Sequence, residues 1–328
     1  MIVVTGGAGF IGSNLVASLE EADRGPISVV DRLGQDDKWK NLRRRELDEL
    51  VAPEQIYDFL DRRKADISYV FHMGAISATT ETDADLIAET NLRLPQTVWD
   101  WCAWNEVPLV YASSAATYGD GEEGFDDEDA PEALARLVPM NAYGWSKHAF
   151  DRWAVRQALE GGPTPPQWVG LKFFNVYGPN EYHKGGMMSH VTRSWSAAAA
   201  GEPVTLFRSH HPDYEDGGQM RDFVYVKDCA DVMLWLMEHP EVNGIYNLGT
   251  GQAQSWLDFL GALYDAVGNP MDVDWVDTPE EIRDRYQYFT EARMDRLRHA
   301  GYTRPFRSVE AGVADYVEQH LATDDPYR

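Results

Sequence analysis

A doubly wound α/β fold on a parallel sheet, with a smaller, mostly helical unit interleaved, is what this sequence predicts. Three observations predict it. Ile2, Val3 and Val4 form a short β-branched run that enters a glycine-rich turn, Thr5 to Gly12. Ile11, Leu15 and Leu19 then recur at helical spacing up to Ala22, and a second apolar run, Ile27 to Val30, ends in Asp31. Strand-like and amphipathic stretches go on alternating as far as Pro179, after which the alternation loosens. Alternation of this kind is how βαβ units with helices on both sheet faces read in sequence.

The first 31 residues make one complete unit of strand, glycine turn, helix, strand and acid. Its spacing has a chemical reason. Gly6 permits the tight turn, Gly9 lets backbone approach a pyrophosphate, and Gly12 allows the helix to pack closely on the sheet. The helix N-terminus offers amides and partial positive charge to phosphates. Asp31 is placed to accept from a ribose hydroxyl. The unit therefore predicts a bound dinucleotide and a Rossmann-type sheet.

At 328 residues the chain can bury a sizeable core, and its 44% hydrophobic and 25% charged residues describe a globular protein. The net formal charge of −25 argues against nucleic acid or an anionic membrane as partner and implies a solvated acidic surface. A phosphate ligand would need local cations to offset that field, so the scarce lysines stand out. No apolar run approaches the roughly 20 residues that span a bilayer. With a strand at the start in place of a leader, the expected location is the cytoplasm. Cys102 and Cys229 stand far apart and read as reduced, buried thiols. No metal site is expected.

Taken in order, the loop after Asp31 contains Arg32, Lys38 and Lys40, and a cation there could hold a ribose 2′-phosphate, which favours NADP with NAD as the alternative. Residues 43–64 read as helix on the apolar positions Leu47, Leu50, Ile56, Phe59 and Leu60. Tyr69 to His72 reads as a strand running into Gly74, Ala75, Ile76 and Ser77, with His72 a packed strand-end side chain. A helix from Asp83 to Glu106 carries Asn91. Pro108 to Ala112 reads as a strand ending in the hydroxyl-rich Ser113 to Gly119, where open α/β sheets bind ligands. An acidic loop spans 120–138, and Asn141 is a plausible cap for the helix that follows. Val169 to Phe174, Phe223 to Val226 and Ile245 to Leu248 read as strands, and Asp228 to His239 and Trp195 to Ala200 as helices. The expected division is a dinucleotide-binding domain of residues 1–176 and 222–249, and a substrate domain of residues 177–221 and 250–328.

The strongest chemical signal is Ser114, Tyr143 and Lys147. A phenol with an ordinary pKa near 10 is a poor base at neutral pH. An ammonium four residues along the same helix face favours the phenolate, as does a cationic nicotinamide. A hydroxyl at Ser114 can hold the substrate oxygen. Tyr143 can then take a proton from an alcohol as hydride leaves its carbon. These parts predict an enzyme.

The G-x-x-G-x-x-G spacing resembles the extended short-chain dehydrogenase/reductase superfamily. The blocks SSAATYG, NAYGWSK, KFFNVYGPNEYHKGGM, RDFVYVKDCADV, GIYNLGTG and RYQYFT follow in order across nearly the whole chain. Together they resemble the ADP-glyceromanno-heptose 6-epimerases, which complete the activated heptose of bacterial lipopolysaccharide. The discriminating block is NVYGPNEYHKGGM, which supplies Lys184. The resemblance implies transient oxidation at C6″ by bound NADP⁺ and return of the hydride to the other face, with Tyr143 and Lys184 sharing the acid/base work. Lys147 would hold the nicotinamide ribose and tune Tyr143. It further implies cofactor contacts at Phe10, Ile11, Asp31, Arg32, Lys38, Gly74 to Ser77, Asn91 and Val176. Substrate contacts are implied at Ser114, Asn175, Gly186, Arg193, Phe207, Arg221 and Tyr286, with an ADP-heptose as substrate and a homo-oligomeric assembly.

Arg221 is also chemically apt, since a guanidinium grips a diphosphate with paired hydrogen bonds. Asn91 has an equal reading as a brace between central strands. Two departures from the family pattern are the long 208–220 loop, read as closing over substrate, and Pro53, where a further basic contact would be expected. The competing readings are another nucleotide-sugar epimerase or a dehydratase, and a non-catalytic cofactor-sensing protein. A dehydratase would carry an acidic pair near the serine strand end, which Ala115-Ala116-Thr117 does not provide. A sensor tends to lose the tyrosine–lysine pair kept here.

Overall fold

The computed structural model describes residues 1–283 and 286–328. Its centre is a seven-stranded sheet built from β1 (Ile2–Thr5), β2 (Ile27–Val30), β3 (Glu49–Val51), β4 (Tyr69–His72), β5 (Leu109–Ser114), β6 (Trp168–Phe173) and, later in the chain, β10 (Gly244–Leu248). The spatial order is β10-β6-β5-β4-β1-β2-β3, and every neighbouring pair is parallel. The order reverses between β1 and β4, the switch point at which doubly wound sheets open a crevice.

Apart from the edge strand β3, both faces of this sheet are buried, which is why its strands read as continuous apolar runs. Strand alternation sends Ile2, Val4, Phe71, Val110, Leu171 and Leu248 into one core, under the helices Phe10–Glu21 and Val226–Glu238. Val3, Val70, Tyr111 and Ile245 point into the other, under Leu94–Trp104 and Ala142–Glu160. Each fully buried large apolar side chain is worth about 1.5–3 kcal/mol of transfer free energy, so the two cores outweigh any surface ion pair.

A second unit packs beyond the carboxyl ends of the central strands. It holds a three-stranded sheet of β7 (Asn175–Tyr177), β9 (Met220–Tyr225) and β11 (Ala253–Ser255), and a pair of β8 (Val204–Phe207) with β12 (Val273–Val276). Its core joins Tyr177, Leu206, Tyr225, Leu263 and Tyr316. Phe223 and Phe259 stack within it, their centroids 4.0 Å apart.

Four expectations change. Residues 43–64 are not one helix: β3 occupies Glu49–Val51, and helix begins only at Ile56, after a 3-10 turn opened by Pro53. The strand exists because Ser28, Val29 and Val30 of β2 pair with it, a long-range partner that local periodicity does not record. The strand near Phe223 lies outside the central sheet, pairing with β7 and β11. The Ala-rich helix starts at His190, where the Ser189 hydroxyl caps it. The Asp83 to Glu106 stretch is helical from Ala84 to Trp104 but widens into a π turn over Glu89–Arg93, just before Pro95, which has no amide to close a regular turn.

Candidate active site

The carboxyl ends of β1, β4 and β5 open into a cleft of about 1110 Å³. Its floor is the first glycine turn. Gly6 has φ +65°, and a Cβ there would lie 2.6 Å from Gly74, so the turns after β1 and β4 touch through backbone alone. Thr5 Oγ1 accepts from the Gly74 amide at 3.1 Å and meets His72 Nδ1 at 2.9 Å, which locks the two turns together. A Cβ on Gly12 would come 2.2 Å from the Gly6 carbonyl. Gly9 caps the helix without any side-chain bond, which leaves the first-turn amides uncapped, and Phe10, Ile11 and Gly12 line the cleft. An open amide cradle with no side chain over it fits a pyrophosphate.

At the end of β2, Asp31 accepts from the amides of Ala8 at 2.8 Å and Arg32 at 2.7 Å. Lys38 Nζ lies 2.7 Å from the same carboxylate and also donates to the Arg32 carbonyl. The acid and its neutralising lysine both line the cleft. The Arg32 side chain turns away to pair with Glu54 on the surface.

The opposite wall is β5 with the helix Ala142–Glu160. Asn141 caps that helix through Gly144, which stands Tyr143 and Lys147 one turn apart on the cleft side. Lys147 is 4% exposed, its Nζ donates to the Ala112 carbonyl at 2.7 Å, and burial brings its ammonium down to about 8. Burial raises the Tyr143 phenol, while the hydrogen-bonding Ser114 hydroxyl draws it back. Ser114 and Tyr143 both face the cleft at the strand end.

Lys184 reaches the cleft from a separate loop. Asn180, in the left-handed region at φ +72°, donates to Ser13 Oγ at 3.0 Å, and its carbonyl accepts from Asn41. Asn14 donates to the Pro179 carbonyl, so the loop is knitted to the glycine-turn helix. The buried Glu181 is held by the Ser189 amide and by the hydroxyls of Ser189 and Thr192. Lys184 follows, its Nζ 4.9 Å above the Phe10 ring and its ammonium lowered by burial against the pull of Glu181.

The cleft thus gathers Gly6, Gly9, Phe10, Ile11, Gly12, Asp31, Lys38, Gly74, Ala75 and Ser77 with Ser114, Tyr143, Lys147, Asn175, Val176, Lys184 and Tyr286. Arg221 stands just behind, its guanidinium 5.6 Å over the Tyr286 ring and donating to the Met220 and Gln287 carbonyls. Other expected residues stand off the cleft. Asn91 exchanges both hydrogen bonds with the Ile76 backbone and donates to Ser146 Oγ, so it braces the loop from behind. Gly186 is exposed beside Lys184, and Arg193 and Phe207 are exposed outside the lining. The structure adds His183, Met187, Gln287 and the Thr79 to Thr82 rim, which the sequence reading missed. His183 sits one place before Lys184, so adjacency was the one signal available for it.

Known proteins resemble the chain at two levels. A model of the NAD dependent epimerase/dehydratase family matches residues 2–249. An ADP-L-glycero-D-manno-heptose-6-epimerase of Nitratidesulfovibrio vulgaris is 48% identical over 100% of both chains, and one from Fusobacterium nucleatum is 45% identical over the same share. Among solved structures, the Helicobacter pylori ADP-L-glycero-D-manno-heptose-6-epimerase superposes with a TM-score of 0.78 at 29% identity, covering 97% of this chain and 95% of that one. The Thermus thermophilus UDP-glucose 4-epimerase in complex with NAD gives 0.74 at 27% identity, over 95% and 96%. The glycine turn, Asp31 and the helix of Tyr143 and Lys147 line one cleft, and the chain belongs to the NAD dependent epimerase/dehydratase family.

Proposed function

We propose that this protein inverts C6″ of an ADP-heptose, converting ADP-D-glycero-D-manno-heptose to its L-glycero epimer. One observation carries the reading: Tyr143 with Lys147 on one wall and Lys184 on a separate loop face a single cleft. The full-length relatives support the same substrate.

A bound nicotinamide dinucleotide supplies a hydride acceptor and, later, a hydride donor to the sugar carbon. The protein does the rest. The open amides after Gly9 bind the pyrophosphate, and Lys147 holds the nicotinamide ribose. Ser114 orients the sugar oxygen while Tyr143 removes the hydroxyl proton, a role typically worth about 10²–10⁴-fold. The 6″-ketone turns over, and Lys184 completes the proton transfer in the second orientation. A single phenol on a fixed helix serves one orientation only. Tyr286 at the cleft, with the Arg221 guanidinium over its ring from behind, binds the diphosphate side of the substrate.

The cofactor is NADP in this reading, because Lys38 cancels the Asp31 charge that would repel a 2′-phosphate. The protein works in the cytoplasm as a homo-oligomer and feeds lipopolysaccharide core synthesis. An NMR time course with ADP-D-glycero-D-manno-heptose tests the proposal. Conversion without net NADPH, lost in Tyr143→Phe and Lys184→Met, is expected. Wild-type protein that holds cofactor yet leaves this sugar unchanged would reject the substrate.

A further inference from the structure

One turn beyond Lys147, the same helix buries Asp151 completely. Its Oδ1 accepts from the Tyr111 hydroxyl at 3.1 Å, and its Oδ2 from Ser113 Oγ at 2.6 Å and Lys172 Nζ at 2.8 Å. Lys172, on β6, is 1% exposed and also donates to Thr117 Oγ1 at 2.6 Å, and the Thr117 hydroxyl donates to the Ser114 carbonyl at 2.8 Å. Strand alternation explains the pattern: Tyr111 and Ser113 face Asp151, while Ser114 faces the cleft. With Lys147 on the Ala112 carbonyl, every residue from Tyr111 to Ser114 is tied to the catalytic helix or to this pair.

A buried ion pair is weak evidence of stabilisation, because desolvating two charges offsets most of their attraction, and apolar residues of similar volume often do as well. Its placement suggests another role. We propose that Asp151 and Lys172 are positioning residues: they hold the Ser114 strand end against the Tyr143 helix, and as a matched pair they keep the field at Tyr143 and Lys147 balanced.

Asp151 favours the protonated forms of both Tyr143 and Lys147, and Lys172 acts the opposite way on the adjoining His148. Facing the pair from the other elements are the phenols of Tyr111 and Tyr118, both pushed up by burial and then by carboxylates, with Asp129 behind the first and Asp127 and Asp126 behind the second. Lys172 Nζ also lies 4.9 Å over the Tyr118 ring. His72, under the cleft floor, is neutral from burial and from Lys147, and Arg152 faces His148 from the same helix.

The inference rests on the proposed role of Tyr143, but its test needs no substrate, so it can fail separately from the substrate assignment. The readout is the ultraviolet phenolate titration of the holoenzyme, taken as the difference from Tyr143→Phe. Asp151 lies eight residues from Tyr143, roughly 12 Å along the helix. At that distance, with an effective dielectric of about 20, one charge moves a titration by about one pH unit. Asp151→Asn is expected to lower the Tyr143 midpoint by that amount. The double variant Asp151→Asn, Lys172→Met removes both charges and is expected within about 0.3 pH unit of wild type. An unmoved midpoint in the single variant, or a double variant displaced as far as the single, overturns the proposal. If the single variant does not fold, the double carries the test, and displacement beyond half a unit overturns it.

Discussion

Lys147 and Lys184 face the same cleft from opposite walls, and the fold treats them differently. Lys147 is buried on the 19-residue helix Ala142–Glu160, anchored to a strand carbonyl. Lys184 sits on a short 3-10 stretch, followed by Gly185 at φ +53° and by Gly186, neither with an atom within 4 Å of a would-be Cβ. No ion pair among the described residues reaches Lys184, and its ammonium lies over the face of Phe10. One wall packs its lysine into the helix and strand, and the other carries its lysine on an anchored loop with open space after it. Under the proposed mechanism, which presents the same carbon twice in opposite senses, both walls would be used.

The largest effects should come from removing the working group on either wall. Tyr143→Phe and Lys184→Met are each expected to cut turnover by about 10²–10⁴-fold, with cofactor still bound. A Lys184→Met variant within threefold of wild type in the NMR assay would break the comparison, leaving only the helix wall at work. Next come the glycines. Gly12→Ala places a methyl 2.2 Å from the Gly6 carbonyl, and cofactor retention and melting temperature should both collapse, at a cost of about 3 kcal/mol or more.

Acid should expose the rigid floor. Burial, then Lys147, brings His72 down to about 3 from 6.5. The unfolded chain therefore takes up a proton first, so the stability tied to neutral His72 is intact above pH 6.5 and drains as the pH falls toward 3. By pH 5 the loss is about 2 kcal/mol. Denaturant unfolding at pH 7 and pH 5, compared with His72→Phe, measures it, and equal losses in both proteins would count against it. Lys38→Met should shift the NADP-to-NAD affinity ratio about tenfold toward NAD by calorimetry, equivalent to about 1.4 kcal/mol. Gly186→Ala should change stability by less than about 0.5 kcal/mol, because nothing packs there.

What could be read in the sequence follows the same divide. The glycine turn, Asp31 and the Ser114–Tyr143–Lys147 set are legible because chemistry and local periodicity coincide in short windows. Lys184 needed a family resemblance, since nothing local to Glu181–Met187 says which wall it joins. β3 was hidden because three residues on a sheet edge carry too little alternation, and Pro53 beside them was the one warning. The strand at Phe223 was legible as a strand, but its sheet was not, because pairing with Asn175–Tyr177 is a tertiary fact. Asn91 shows the limit most directly. The residue is visible, while its service to Ile76 and Ser146 depends on a turn whose width the sequence does not state.

That turn sets a trap for anyone trying to stabilise the protein. Pro95 scores about 3 kcal/mol worse than alanine on any helix scale, so a design algorithm would replace it first. The new amide would let the π turn over Glu89–Arg93 close as a regular one. Dropping one residue from the winding rotates what precedes it by about 100°. Asn91 would swing off the Gly74–Ser77 loop, and the more stable helix would belong to a protein that grips its cofactor less well.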